Sequence, residues 1–173
     1  GIDLDHFYAA INCVKPSLIR VEADELTYNL HIMLRFEIEQ DLIEGRLQPE
    51  DLPGVWNQKM QEYLGITPAH DGEGVLQDVH WSFGAFGYFP TYTLGNLYSV
   101  QFFEQAQLEI PHLDDEIAAG QLTVLRRWLE QKIHRWGRMF TPDHLSQRVT
   151  GKSINPEPFL TYLEKKYGEL YKL

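Results

Sequence analysis

Apolar side chains return at three- and four-residue steps along most of this chain, and that spacing commits it to helices. Leu26, Leu30, Met33, Leu34, Ile38 and Leu42 keep the period of one helix face. Asp24 stands where an N-cap belongs, and Gly45 where the helix should stop. Ile2, Phe7, Tyr8 and Ile11 predict an earlier helix that closes before Pro16, because the residue ahead of a proline avoids helical geometry. Residues 17–21 read as extended. Further helices are predicted over residues 53–64, ended by Gly65, and over 91–108, where Gly95 weakens the first turn. A short helix is predicted over 114–119 and a longer one over 122–136, with Leu125, Trp128, Leu129 and Ile133 on one face. Thr141-Pro142 and Asn155-Pro156 each pair a capping residue with proline at the first helical position. They open two final helices, the last running to about Tyr167 ahead of Gly168.

Residues 65–90 break this pattern, being rich in glycine and aromatic residues. Gly74-Val75-Leu76-Gln77-Asp78-Val79 could supply a strand or a buried helical turn. A long irregular stretch inside a compact domain is often functional. The expected class is all-α with at most a small β element, in a single domain over residues 1–173. A chain of that length buries roughly 70% of its unfolded surface, enough for a core.

The 25 acidic residues against 15 Lys and Arg give a formal charge of −10. The densest cationic group is Arg126, Arg127, Lys132, Arg135 and Arg138. Binding to nucleic acid through phosphate neutralisation is therefore disfavoured, while a small anion held by one or two placed cations remains open. The one cysteine, Cys13, allows no intrachain disulfide and suits a reducing compartment. No apolar run approaches the ~20 residues of a membrane span, so no membrane partner is expected. Gly1-Ile2-Asp3-Leu4-Asp5 has neither the basic lead nor the apolar core of a signal peptide. Opening without methionine, it reads as a chain that has been cut or trimmed.

No histidine is followed by another four residues on, so H-E-x-x-H, which sets two imidazoles on one helix face, is absent. One cysteine rules out the cysteine-based zinc spacings. Gly84-Ala85-Phe86-Gly87 lacks the glycine pattern and the lysine of a phosphate loop.

Three segments carry candidate chemistry. In Ile19-Arg20-Val21-Glu22-Ala23-Asp24 the arginine fork matches a carboxylate, and nearby acids can hold it in place. A paired scaffold arginine before a helix cap is the blander reading. In Gly74-Val75-Leu76-Gln77-Asp78-Val79-His80-Trp81, alternation as on a strand puts Asp78 and His80 on one side and Gln77 on the other. Asp78 can orient the imidazole, or the segment can be a buried polar network linking helices. The third, residues 87–96, holds Tyr88 and Tyr92, able to donate to a developing oxyanion or simply to fill core.

In this order the segments resemble the thermostable carboxypeptidase family of zinc metallocarboxypeptidases. Its I-R-x-x-A-D motif is matched by Ile19, Arg20, Ala23 and Asp24, and its G-x-x-Q-D-x-H-W by Gly74, Gln77, Asp78, His80 and Trp81. Residues 88–96 and Asn155-Pro156 with Pro158-Phe159 look similar too, so the likeness covers essentially the whole chain. Phe83 departs from it, standing where a smaller or polar residue is expected.

The resemblance implies the C-terminal half of a helical, groove-containing metallopeptidase fold. Zinc and its glutamate base would lie N-terminal to the first motif, so the full-length enzyme would use zinc and this chain alone would bind none and be inactive. It further implies that Arg20 grips the substrate's terminal carboxylate, with Glu22 and Asp24 orienting it and Gln77 and Asp78 in the binding wall. His80, Tyr88 and Tyr92 would line the groove near the reacting carbonyl. The substrate would be a peptide C-terminus losing single residues. Relatives are cytoplasmic homodimers, so a homodimer or association through exposed apolar surface is expected. The alternative is a non-catalytic helical binding protein that kept the grip and lost the metal.

Overall fold

Asp24 starts the helix on which the first half of the chain is built. Its Oδ1 accepts from the Thr27 backbone N–H at 2.9 Å and its Oδ2 from the Thr27 hydroxyl at 2.9 Å, which satisfies the open N-terminal turn. The computed structural model describes residues 1–173, all helix and turn with no sheet. Its helices are α1 (Leu4–Ile11), α2 (Glu25–Ile43), α3 (Leu52–Leu64), α4 (Pro90–Glu109), α5 (Leu113–Ala118), α6 (Thr123–Lys132), α7 (Pro142–Thr150) and α8 (Glu157–Tyr171). The all-α expectation holds, and none of these helices is long and apolar enough to cross a membrane.

The chain divides into two compact units, Gly1–Thr93 and Leu94–Leu173. In the first, α2 packs on α3. Leu34 and Ile38 meet Trp56, Met60 and Leu64, which recur every four residues along α3, with Leu47 and Val75 closing the core. Gly74 is needed here for close approach, because a Cβ would stand 3.3 Å from Pro68 Cγ. The predicted apolar face of α2 is only half right: Leu26 and Met33 are exposed. The row at 27, 31, 35 and 39 is buried instead, and it reads Thr27, His31, Arg35 and Glu39. α1 buries no residue, so Ile2, Leu4, Phe7, Tyr8 and Ile11 all remain exposed.

Two loop expectations change. Residues 20–22 are a 3-10 turn, closed by Glu22 N–H on the Ile19 carbonyl and Ala23 N–H on that of Arg20, both at 3.1 Å. Residues 74–79 form turns rather than a strand. Leu76 N–H bonds the Asp71 carbonyl and Gln77 N–H that of Gly74, leaving no sheet partner.

In the second unit Ala106, Leu113, Trp128 and Val149 form the core. Buried Gln101 donates to the Ser153 carbonyl and accepts from Asn155 N–H, fixing the approach to α8. α6 ends at Lys132 rather than Trp136. Ile133 leaves helical geometry and a 3-10 turn follows, which lays the Trp136 ring 4.5 Å from the Arg148 guanidinium. α8 runs through Gly168 to Tyr171, past its predicted end. Glycine inside a helix costs only about 1 kcal/mol, and Tyr171 continues the ring contact with Tyr167.

His31 is fully buried, and neither ring nitrogen has a hydrogen-bond partner. Burial, then the charges of Arg35 and Arg20, push its pKa from 6.5 down to about 4, against the weaker pull of Asp78 and Asp24. Between those values the unfolded chain binds a proton that the folded one refuses, so stability falls as pH drops from 6.5 towards 4. At about 1.4 kcal/mol per unit the loss is on the order of 3 kcal/mol. Urea midpoints across this window should show that slope, and His31→Leu should remove it; an equal slope in the variant contradicts the assignment.

Candidate functional site

The two sequence motifs meet at one carboxylate. Arg20, 6% exposed, leaves the 3-10 turn and donates from Nη2 and Nε to Asp78 Oδ1 at 2.7 and 3.2 Å. Its Nη1 donates to the Tyr28 hydroxyl at 3.0 Å. The other oxygen, Asp78 Oδ2, accepts from Arg35 Nε at 2.7 Å and lies 2.7 Å from Arg35 Nη2 as an ion pair. Arg35 comes from the buried row of α2 and also donates from Nη1 to the His31 carbonyl at 2.8 Å.

Gln77 lies with Asp78, not opposite it as strand alternation predicted, because the segment is a turn. Its Oε1 accepts from the Arg20 backbone N–H at 2.9 Å and from Arg35 Nη2 at 2.8 Å. Its Nε2 donates to the Leu18 and Glu73 carbonyls at 3.0 and 2.9 Å. The polar network weighed in the sequence is thus present.

Glu22 and Asp24 do not orient Arg20. Glu22 is exposed, and the Asp24 carboxylate serves the N-terminus of α2 and the Lys15 backbone N–H. Asp78 and Tyr28 do the orienting. Nor does Asp78 hold the His80 ring by a hydrogen bond, since Oδ1 to Nδ1 is 3.8 Å. The ring is fixed by the Tyr92 hydroxyl, 3.0 Å from Nε2, and by the Phe89 ring at 4.4 Å. Tyr88, half exposed, packs its ring on His80 and Tyr92. Phe83 is 80% exposed.

Two further groups were not singled out by the sequence reading. Phe89, 1% exposed, lies under both guanidiniums, 5.8 Å from Arg20 and 5.4 Å from Arg35. Glu39, 3% exposed, accepts from Trp81 Nε1 at 2.9 Å and from Gly87 N–H at 3.1 Å. It clips both sides of the loop that carries Phe83 and Phe86. Gly87 sits at φ +79, a conformation glycine reaches without strain.

Burial works to raise the Asp78 pKa, but hydrogen bonds and charge from the two arginines outweigh it and hold the carboxyl below its ordinary 3.8. Burial lowers Arg35 to about 10, so it stays charged at neutral pH. Within the bonded cluster two cations face one anion. Arg20 uses one N–H on each of Nε, Nη1 and Nη2, leaving a second on each terminal nitrogen. A metal fits less well: no group of three or more His, Cys, Asp or Glu side chains is placed to hold an ion.

The chain is 52% identical over 170 residues to thermostable carboxypeptidase 1 of Thermus thermophilus, covering 98% of this chain and 33% of that protein. It is 47% identical over 172 residues to carboxypeptidase 1 of Bacillus subtilis, covering 99% and 34%. The crystal structure of the M32 carboxypeptidase from Deinococcus radiodurans R1 superposes with a TM-score of 0.96 at 42% identity, over 100% of this chain and 35% of that one. The chain thus spans about a third of the length of these relatives. With residues 1–167 matching the family described as carboxypeptidase Taq (M32) metallopeptidase, the chain belongs to that family.

Proposed function

We propose that this chain is the C-terminal, substrate-binding portion of a zinc-dependent metallocarboxypeptidase that releases single residues from peptide C-termini. The observation that carries the reading is the charge imbalance around Asp78. Two buried guanidiniums share one carboxylate, and a buried cation without full compensation is costly. A substrate carboxylate that accepts the two uncommitted N–H groups of Arg20 supplies the missing charge through charge-assisted hydrogen bonds.

His80, Tyr88 and Tyr92 then form the wall beside the bound residue. Tyr88 is half exposed, while Tyr92 holds the His80 ring. No group of three or more His, Cys, Asp or Glu side chains here is placed to hold an ion, and on this reading the zinc ligands lie in the rest of the longer enzyme. The exposed apolar residues of α1 are where this portion meets other protein, in its own chain or in a second copy. One observation favours the blander reading of Arg20 as a paired scaffold arginine: its side chain is only 8% exposed and already forks onto Asp78.

Two measurements test the proposal. The isolated chain should hold well below one zinc per molecule after dialysis and release no C-terminal residue; stoichiometric zinc with turnover defeats the assignment. In the full-length enzyme Arg20→Lys keeps the charge and loses the fork. Catalytic efficiency on free C-terminal acids should fall roughly ten- to a hundredfold, with little change for peptides amidated there. A marked drop in thermal stability with the preference for free acids intact makes Arg20 a scaffold residue.

A further inference from the structure

Arg35 is fully buried and cannot touch a substrate, yet it contacts two of the three groups that hold Arg20, Asp78 and Gln77 but not Tyr28. It donates from Nε to Asp78 Oδ2, with Nη2 in ion-pair contact with the same oxygen, so Oδ1 is the oxygen left to receive the Arg20 fork. It bonds Gln77 Oε1 through Nη2, and that same oxygen accepts the Arg20 backbone N–H. Side chain and main chain of Arg20 are therefore both set by partners that Arg35 fixes. Arg35 is itself immobilised by the His31 carbonyl at 2.8 Å and by the faces of Trp56, 4.5 Å away, and Phe89, 5.4 Å away. A planar guanidinium can fill all of these contacts at once; an ammonium on a flexible stem cannot.

We infer that Arg35 is a positioning residue for carboxylate recognition, acting on the substrate only through Asp78, Gln77 and Arg20. This rests on the reading of Arg20 as the carboxylate grip. The route is a chain of direct bonds, so the effects of altering Arg35 and Arg20 should not add.

The test uses the full-length enzyme and two competitive inhibitors, an N-acyl amino acid and its C-terminal amide. Arg35→Lys should weaken inhibition by the free acid roughly tenfold and leave the amide within about twofold. In an Arg20→Lys background it should add less than about twofold for the acid, because the grip it positions is already lost. Equal losses for acid and amide, no loss for either, or a full tenfold effect persisting in the Arg20→Lys background would overturn the inference. If Arg35→Lys does not fold by circular dichroism, Gln77→Met, which cuts the link to the Arg20 main chain, is read by the same outcomes. An Arg20→Lys enzyme that keeps its preference for the acid defeats the carboxylate grip itself. An Arg20→Lys enzyme that loses it, with Arg35→Lys unchanged, defeats only the role of Arg35.

Discussion

One carboxylate shared by two arginines holds the first unit of this chain together at its site. Asp78 reaches it from the glycine-rich loop, Arg20 from the 3-10 turn and Arg35 from α2, so three segments distant in sequence are tied at a single point. Buried ion pairs often repay little more than their desolvation. What this one supplies is placement: each Asp78 oxygen is assigned to one guanidinium, and Gln77 repeats the link through the main chain of Arg20. Removing the carboxylate would leave two cations facing each other in a protein interior.

The aromatic surroundings make that arrangement effective. Phe89 lies under both guanidiniums, Trp56 covers Arg35 and Tyr92 lies 4.9 Å from Arg20. Rings of this kind exclude water while offering a cation their electron-rich faces. Glu39 holds the loop from the other side through Trp81 and Gly87. The same ring packing sets His80 against Tyr92 and leaves Tyr88 half exposed.

Most of the helices were legible from apolar spacing and caps, and Asp24, Gly65 and Thr141 cap or close them as expected. The pairing within the site was less legible, for two physical reasons. Strand alternation was applied to residues 74–79, where turn bonding turns Gln77 and Asp78 to the same side. Arg35 and Glu39 are hard to read as site residues from the sequence, because charged residues within a helix usually face water. The signal was there in the four-residue row Thr27, His31, Arg35 and Glu39, a polar stripe in a helix whose apolar residues do not gather on one face. The motif residues Arg20, Gln77, Asp78 and His80 converge, while Asp24 caps α2 and Glu22 is exposed.

On the proposed reading, the cluster around Asp78 presents its surplus positive charge to a carboxylate through Arg20. The most direct measurement is an NMR titration of the full-length enzyme carrying 15N-labelled arginine, with the Arg20 side-chain Nε–H assigned by its loss in Arg20→Lys. Addition of an N-acyl amino acid should shift that resonance saturably, and its C-terminal amide should leave it in place. An Arg20 signal that stays fixed with both ligands, or moves equally with both, contradicts the account.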